Sequence, residues 1–261
     1  MAMRIVLAVL LAALGLPLQA QPPSCSAQSP AGTTALVELY TSEGCDSCPP
    51  ADRWLSSLGE KGLAPEKVVP IALHVDYWDY IGWKDPFAKP EFTLRQRLHA
   101  QLKRSRLVYT PQVLLQGQDF RGWNTAAFER ELARINARPA AAHIRLAIAG
   151  SRPGALEVEV GAEVPDPARR GSAALFLATY ESRLRSEVRA GENRGRTLAH
   201  DFVVFEWQGP LAFGADGKLR QRRALPLLPK ANPAHSGVVT FVQDRASGEV
   251  LQALMRPACP G

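Results

Sequence analysis

The sequence predicts an α/β fold followed by a mainly β, sandwich-like C-terminal domain. From residue 35 to about residue 140, apolar runs of strand length alternate with segments whose apolar residues recur at helical spacing, a pattern typical of an α/β layer with parallel strands. Beyond about residue 142 the helical pattern fades and short β-type runs take over. We therefore expect an α/β domain over residues 33–140 and a β-rich domain over residues 143–257.

The first twenty residues have the pattern of a secretory signal peptide. A basic start at Arg4 precedes an apolar run over residues 5–18, and Ala20 is the small residue that a signal peptidase prefers. The run is shorter than the about 20 residues that a membrane span needs, and no comparable stretch follows it. We expect residues 1–20 to be removed and the mature protein to be periplasmic or secreted, with no membrane span.

The α/β domain begins with a strand, a helix and a second strand. Residues 36–40 form an apolar run of strand length. Residues 50–58 carry apolar residues at helical spacing, with Pro49 and Pro50 in the first turn, where a missing amide donor is tolerated. Residues 68–75 form a nearly continuous apolar run, as expected for a strand that is covered on both faces.

The rest of this domain is predicted as a helix, two strands and a final helix. Apolar residues recur among basic and polar ones over residues 92–107, which predicts the helix. Residues 112–116 form the next strand, and a turn and a short strand follow it. The last helix spans residues 125–137, with Asn124 or Thr125 as its N-cap.

The β-rich domain is predicted from short apolar runs without helical periodicity. These runs lie at residues 144–148, 156–160, 174–180, 202–207 and 238–242.

The charge pattern excludes few functions. The formal net charge is +6, and Lys and Arg are spread along the chain apart from a cluster between Arg183 and Arg196. The chain has no long like-charge run that indicates a nucleic-acid-binding arm. We expect a solvated surface of mixed charge and no nucleic-acid partner, while the oligomeric state stays open.

Two of the four cysteines, Cys45 and Cys48, form a Cys-x-x-Cys pair between the first strand and the first helix. The partial positive charge of a helix N-terminus stabilises a thiolate, so a redox pair is the leading hypothesis. Cys45 is then the nucleophile at the exposed edge of the helix, and Cys48 resolves the mixed disulfide. An inert disulfide and a metal site are the alternatives, although no second Cys or His pair stands at zinc-ligand spacing.

The other two cysteines, Cys25 and Cys259, lie at opposite ends of the mature chain. In an oxidising compartment an even number of cysteines indicates bridges, so we expect a disulfide that joins the termini. The alternatives are free cysteines or a lipid attached to Cys25, although the residues before Cys25 lack a lipobox pattern.

Several polar residues are candidates for the surroundings of the dithiol. His74 lies in the second strand and Asp76 lies just beyond it, two positions later, so we expect their side chains to share a face and to reach the dithiol or each other. The alternative for His74 is a hydrogen-bonded histidine in the core. Glu38 and Glu43 are candidates for a buried proton acceptor beside Cys48. These positions define a possible site but not its chemistry.

An aromatic insert follows the second strand, over residues 77–87. It includes Trp78 and is rich in Tyr, Trp, Asp and Gly. The insert forms either a lip over the dithiol or a packed loop.

The order of these elements resembles the thioredoxin fold, and residues 109–113 (YTPQV) are similar to the cis-proline loop of that family. The resemblance implies that Pro111 has a cis peptide bond and lies beside the dithiol, and that the backbone of Thr110 pairs with an extended substrate. The usual Trp-Cys-Gly-Pro-Cys is replaced here by Gly-Cys-Asp-Ser-Cys at residues 44–48, so neither the reduction potential nor the choice of partner carries over.

The chain resembles more closely a thioredoxin-like family of exported bacterial proteins that is known only as a domain of unknown function. The matching motifs lie at residues 37–45 (VELYTSEGC), 74–83 (HVDYWDYIGW), 109–112 (YTPQ) and 189–196 (RAGENRGR). In the last of these, Arg194 and Arg196 are candidates to bind a carboxylate or phosphate, with a structural turn as the alternative.

These observations favour a thiol-disulfide oxidoreductase that acts on protein thiols or with a redox partner protein. No organic cofactor and no metal are implied, because the dithiol is itself the carrier. One alternative is a copper(I)-binding, thioredoxin-like metallochaperone with Cys45, Cys48 and His74 as ligands. The other is a non-enzymatic binding module whose Cys45–Cys48 pair is a structural disulfide.

Overall fold

A computed structural model describes residues 25–60, 63–152 and 154–259. The signal peptide that the sequence predicts over residues 1–20 lies outside these residues. The described chain is a mixed α/β protein in which strands dominate.

The first half of the described chain alternates strands and helices. Its elements are β1 (Ser26–Gln28), β2 (Ala35–Thr41), α1 (Pro49–Glu60), β3 (Val68–His74), α2 (Pro90–Leu102), β4 (Gln112–Leu115), β5 (Gln118–Asp119) and α3 (Ala126–Asn136). A one-turn 3-10 helix, Asp79–Ile81, lies in the aromatic insert.

The second half is built mainly of strands. Its elements are β6 (His143–Arg152), β7 (Ala155–Glu163), the short helix α4 (Pro167–Arg170), β8 (Ala173–Glu181), β9 (Leu184–Glu187), β10 (Thr197–His200), β11 (Val203–Ala212), β12 (Lys218–Pro226), β13 (Ser236–Asp244) and β14 (Val250–Pro257).

One large sheet runs through both halves, with the strand order β14-β13-β8-β11-β3-β2-β4-β5. Strand β2 is parallel to β3 and antiparallel to β4. The halves join where β11 lies parallel to β3, with Val203 opposite Ala72. The domain bounds near residue 142 stay a prediction, and the main sheet is continuous across them.

A second sheet, of order β1-β6-β7-β12, covers one face of the C-terminal part of the main sheet. Apolar residues from both sheets form a shared core, with Leu146 and Val158 on the small sheet and Leu175 and Val242 on the large one. The two sheets therefore pack against each other in this part of the chain, and the sandwich-like domain stays a prediction.

The helices cover both faces of the first half. Helices α1 and α3 pack on one face, where Leu55 and Phe128 belong to the core. Helix α2 packs on the other face through Phe92. Thr125 caps α3, because its hydroxyl accepts a hydrogen bond from the backbone N–H of Ala127 over 3.2 Å.

Helix α2 is shorter than the sequence predicts. It ends at Leu102, not at residue 107, because Arg104 adopts a left-handed backbone conformation with φ 52°. Leu107, which the helical pattern included, is 57% exposed beyond the helix end. In the part of the chain that the structure describes, no helix has the length and apolar character needed to cross a membrane.

A disulfide joins the two ends of the described chain. The sulfurs of Cys25 and Cys259 are bonded, across 234 positions of sequence, with a Cα–Cα distance of 5.8 Å. The expected terminal bridge is therefore formed in this structure.

Candidate dithiol site

The Cys-x-x-Cys pair lies where β2 passes into α1. After β2 the chain turns, and the backbone N–H of Cys45 donates to the carbonyl of Ser42 over 3.2 Å. Cys45 and Cys48 form a disulfide with a Cα–Cα distance of 5.4 Å. The carbonyl of Cys48 accepts hydrogen bonds from Ala51 and Asp52, so the first turn of α1 begins directly at the second cysteine.

Both cysteines are fully buried, at 0% exposure. The expectation that Cys45 lies at an exposed edge of the helix is wrong for this structure, because two segments from elsewhere in the chain cover it. One is the aromatic insert, and the other is the loop over residues 189–196. A Cβ at Gly44 would lie 3.0 Å from the Cβ of Trp78 and 3.3 Å from Cδ1 of Ile81, so a glycine is needed for the insert to approach this closely.

The insert is tied to the loop that carries Pro111. Trp78 donates its indole N–H to the hydroxyl of Thr110 over 2.7 Å. The Thr110–Pro111 peptide bond is cis. Strand β4 starts at Gln112, opposite Tyr40 of β2, so Pro111 lies at the sheet end from which the dithiol loop departs.

The second covering segment comes from the C-terminal half. Asn193 is fully buried, and its side-chain amide donates to the carbonyls of Glu43 and Cys45, each over 2.9 Å. Arg196 in turn donates to the side-chain oxygen of Asn193 over 2.8 Å. The carboxylate of Glu192 accepts a hydrogen bond from the backbone N–H of Asp46 over 3.0 Å. The motif at residues 189–196 is therefore part of the dithiol site.

A buried group of charged side chains surrounds the inner side of the site. His74 Nδ1 lies 2.7 Å from Oδ2 of Asp85. Glu43 accepts a hydrogen bond from the indole of Trp83 over 2.8 Å, and its other oxygen lies 3.2 Å from Nε2 of His200. The rings of His74 and His200 are 5.0 Å apart, so these contacts form one cluster.

The pKa values of His74 and Asp85 reflect their pairing. Burial alone would lower the pKa of His74, but the charge of Asp85 and the hydrogen bond to it raise the pKa above 6.5. Burial alone would raise the pKa of Asp85, but His74 and the backbone N–H groups of Glu43 and Phe87 hold it below 3.8. The pair is therefore an ion pair at moderately acid pH.

Asp52 is the carboxylate whose position is most closely linked to Cys48. Its backbone N–H donates to the carbonyl of Cys48, four residues earlier, over 3.1 Å, so Asp52 lies in the first turn of α1 directly after the second cysteine. Burial raises the pKa of Asp52, although the nearby His200 and His74 partly oppose this shift. A carboxyl group with a raised pKa accepts and releases a proton nearer to neutral pH.

Two sequence-predicted residues lie apart from this cluster. Asp76 accepts a hydrogen bond from the Thr93 hydroxyl over 2.5 Å and does not pair with His74, because β3 ends at His74 and the alternation of faces stops there. Glu38 forms two hydrogen bonds to Arg95, at 2.7 and 3.0 Å, on the face that α2 covers. Of the two candidate glutamates, only Glu43 belongs to the cluster.

Sequence reasoning missed four residues of the site: Asp52, Asp85, Asn193 and His200. Asp52 had a usable signal, since a carboxylate four residues after a helix-starting cysteine faces the same way. The others reach the site through contacts across tens of residues, and only the folded chain reveals them. Among the described residues, no three His, Cys, Asp or Glu side chains converge closely enough to hold a metal ion.

Comparison with solved structures gives two relatives that span most of this chain. A crystal structure of a protein from Agrobacterium tumefaciens is 25% identical, with a TM-score of 0.63, and the match covers 89% of this chain and 98% of that one. HBP35 of Porphyromonas gingivalis is 16% identical, with a TM-score of 0.65 and coverage of 88% and 76%, which shows a similar fold. A search of curated proteins gives no match.

A family model matches residues 36–243, which include the dithiol and the loop that carries Asn193. Its description is "Protein of unknown function (DUF1223)", and the match extends over well more than half of the sequence. The chain therefore belongs to the DUF1223 family.

Proposed function

We propose that this protein is an exported thiol-disulfide oxidoreductase with a thioredoxin-like N-terminal region, which exchanges its Cys45–Cys48 disulfide with protein thiols. The observation that carries the proposal is the placement of this disulfide at the start of α1, beside the end of the sheet where β4 begins directly after Pro111. The strand order β3-β2-β4-β5, with helices on both faces, supports the thioredoxin-like assignment.

The chemistry is two successive exchanges. A substrate thiolate attacks the sulfur of Cys45, the Cys45–Cys48 bond breaks, and Cys48 leaves as a thiolate. A second substrate thiolate then attacks the substrate sulfur of the mixed disulfide and releases Cys45. The substrate loses two electrons and the protein gains them, and the reverse sequence reduces a substrate disulfide.

The buried carboxylate Asp52 suits the proton transfers of this cycle. Cys48 must gain a proton when it leaves and lose one when it attacks. A carboxyl group with a raised pKa, one helical turn after Cys48, meets this requirement. His74 and His200 modulate Asp52 through their charges.

Access to Cys45 requires that its cover moves. Since Cys45 has no exposed surface, a protein substrate reaches it only when the insert or the loop over residues 189–196 shifts. The hydrogen bond between Trp78 and Thr110 connects the insert to the substrate side of the site. We expect substrate contact at the Thr110–Pro111 loop to accompany this opening.

Two disulfides in the described chain fit an oxidising compartment, which supports a periplasmic or secreted location. A redox enzyme of this kind would meet partially oxidised substrates there.

The second candidate function is a binding module in which Cys45–Cys48 is a structural disulfide. The complete burial of both cysteines favours it. The copper alternative has weaker support, because no three His, Cys, Asp or Glu side chains among the described residues converge closely enough to hold a metal ion.

A redox titration separates the two main candidates. The protein is equilibrated in glutathione buffers, free thiols are mass-tagged, and peptide mapping assigns the tags to Cys45/Cys48 or to the terminal pair. A midpoint of about −120 to −270 mV for Cys45/Cys48 is typical of catalytic dithiols and supports the oxidoreductase. A pair that resists reduction below about −300 mV behaves as a structural disulfide and favours the binding module.

A further inference from the structure

The loop over residues 189–196 holds the backbone of the dithiol loop through one buried side chain. Asn193 has two amide N–H donors, and both are used, one on the carbonyl of Glu43 and one on the carbonyl of Cys45. These two carbonyls flank Gly44, so the amide spans the turn that leads into the first cysteine. The contact joins positions that are 148 and 150 residues apart in sequence.

The amide is itself fixed in place. Its oxygen accepts the hydrogen bond from Arg196, and the loop packs against the insert, where a Cβ at Gly191 would lie 2.9 Å from Cδ1 of Ile81. Gly191 has φ 73°, a conformation that favours glycine. Arg194, the residue that follows Asn193 in the sequence, is exposed. The loop therefore presents one buried amide to the dithiol and leaves its neighbouring arginine in solvent.

We propose that Asn193 is a positioning residue that sets the reduction equilibrium of the Cys45–Cys48 pair. By holding the carbonyls of Glu43 and Cys45, it keeps the sulfur of Cys45 within bonding reach of Cys48 after reduction, so less conformational freedom is lost when the disulfide closes again. Asn193 thus favours the disulfide over the dithiol. This inference rests on the proposed function, because it concerns the same redox pair.

Glutathione is the partner redox couple in the equilibrium between the Cys45–Cys48 disulfide and its dithiol. The thiols of Cys45 and Cys48 lose two electrons and two protons and form one S–S bond, while one molecule of glutathione disulfide gains both and becomes two molecules of glutathione. Glutathione is the probe in the test, and no further reactant is needed.

Glu192 adds a second contact from the same loop. Its carboxylate binds the backbone N–H of Asp46, one residue after the nucleophile. Because a carboxylate there competes with a thiolate for the positive potential at the start of α1, Glu192 adds to the preference for the disulfide. Glu192→Gln keeps an acceptor oxygen and removes the charge, so it separates this effect from that of Asn193.

The test compares Asn193→Ala with Arg185→Ala, an exposed arginine on β9 that lies outside the loop over residues 189–196. For each, the equilibrium constant of the Cys45/Cys48 pair with glutathione is measured by mass-tagging under native conditions. We expect Asn193→Ala to weaken the disulfide by about tenfold, which is about 30 mV for a two-electron couple, and Arg185→Ala to match the wild type. Leu146→Ala, in the core of the small sheet, controls for a general loss of stability and should leave the constant unchanged.

Two outcomes overturn the proposal. In the first, Asn193→Ala has the wild-type constant; in the second, Leu146→Ala shifts the constant as much as Asn193→Ala does. If Asn193→Ala does not fold, Arg196→Ala tests the same contact from an exposed position, since it frees the amide oxygen of Asn193. A smaller shift in the same direction supports the proposal, and an unchanged constant overturns it. Failure of the proposed function would appear separately, as a wild-type pair that glutathione does not reduce.

Discussion

Asp85 accepts hydrogen bonds at one carboxylate oxygen from both His74 Nδ1, over 2.7 Å, and the backbone N–H of Glu43, over 2.8 Å. The first partner lies at the end of β3, and the second lies in the loop before Cys45. Asp85 comes from the aromatic insert. One buried carboxylate therefore ties together the sheet, the insert and the dithiol loop.

Asp85→Asn should destabilise the protein by about 3 kcal/mol, because breaking a buried ion pair leaves a charge without its partner. The effect depends on pH. Because the pKa of Asp85 is lower in the folded protein than in the unfolded chain, its charge stabilises the fold above about pH 3.8. This stabilisation is lost as pH falls through the folded-state pKa of Asp85. Because the pKa of His74 is higher in the folded protein than in the unfolded chain, its protonated ring stabilises the fold below about pH 6.5. This stabilisation is lost as pH rises through the folded-state pKa of His74.

The difference in unfolding free energy between wild type and Asp85→Asn should therefore be greatest between about pH 4 and 6.5, and it should shrink as pH rises through the folded pKa of His74. Urea unfolding at several pH values measures it. Glu129→Gln, at an exposed position on α3, is the control and should show little effect. Equal unfolding free energies for the wild type and Asp85→Asn at pH 5 to 6 would contradict the assigned ion pair.

The two cysteines should behave differently when each is replaced. Cys45→Ala should abolish exchange with a disulfide-bonded protein substrate, because the nucleophile is lost. Cys48→Ala should accumulate mixed disulfides with the same substrate, because the Cys45 thiolate still attacks the substrate disulfide, one substrate sulfur leaves as a thiolate, and no second cysteine resolves the product. Non-reducing gels and mass spectrometry detect these adducts. Equal residual activity in both variants would refute the assignment of Cys45 as nucleophile.

The bond between Trp78 and Thr110 should slow access to the dithiol. Trp78→Phe removes the indole donor but keeps an aromatic ring. A typical hydrogen bond contributes about 0.5–1.5 kcal/mol, so the cover should open about two- to tenfold more often. The rate of Cys45–Cys48 reduction by a phosphine should rise by the same factor.

Thr110→Val removes the other half of the same bond and should give a similar rate, with little further gain in the double variant. Tyr80→Phe is the matched control, since Tyr80 is 82% exposed on the same insert. If reduction is equally fast in the wild type and in Trp78→Phe, the insert does not limit access.

Asp52→Asn should raise the stability of the protein and lower its exchange activity. Burial raises the pKa of Asp52, so the carboxylate is disfavoured in the folded state as pH rises. The amide variant should therefore gain stability relative to the wild type at neutral and alkaline pH, and its exchange should be slower. Thermal unfolding and exchange rates from pH 5 to 9 test both parts. A variant that is less stable than the wild type at all pH values would show that the ionised carboxylate of Asp52 stabilises the folded protein, which contradicts the prediction.

Local patterns predicted much of the first half of the fold. Strands β2 and β3 and helices α1 and α3 lie within two residues or so of their predicted bounds, because apolar spacing, prolines and the Thr125 cap act over short distances. Helix α2 was predicted too long, since the sequence gives no sign that Arg104 turns left-handed. Strand β12 was missed, because one of its faces is rich in arginine and exposed.

The assembly of these parts was less predictable. Nothing in the apolar run of β11 indicates that it lies beside β3, since that pairing depends on the packing of the whole sheet. The burial of Cys45 was missed for the same reason: its cover comes partly from residues more than 140 positions away. The thioredoxin-like assignment and the redox activity stay part of the proposal.

The disulfide between the two ends of the chain has a consequence for biosynthesis. Because a chain is made from its N-terminus, Cys25 emerges long before Cys259, and in that interval its only intramolecular partners are Cys45 and Cys48. Early closure of the Cys45–Cys48 pair removes both wrong partners at once. The three-residue separation of that pair, against 234 for the terminal pair, makes it the faster ring to close. We therefore expect early closure of the short disulfide to favour the correct pairing of Cys25 with Cys259.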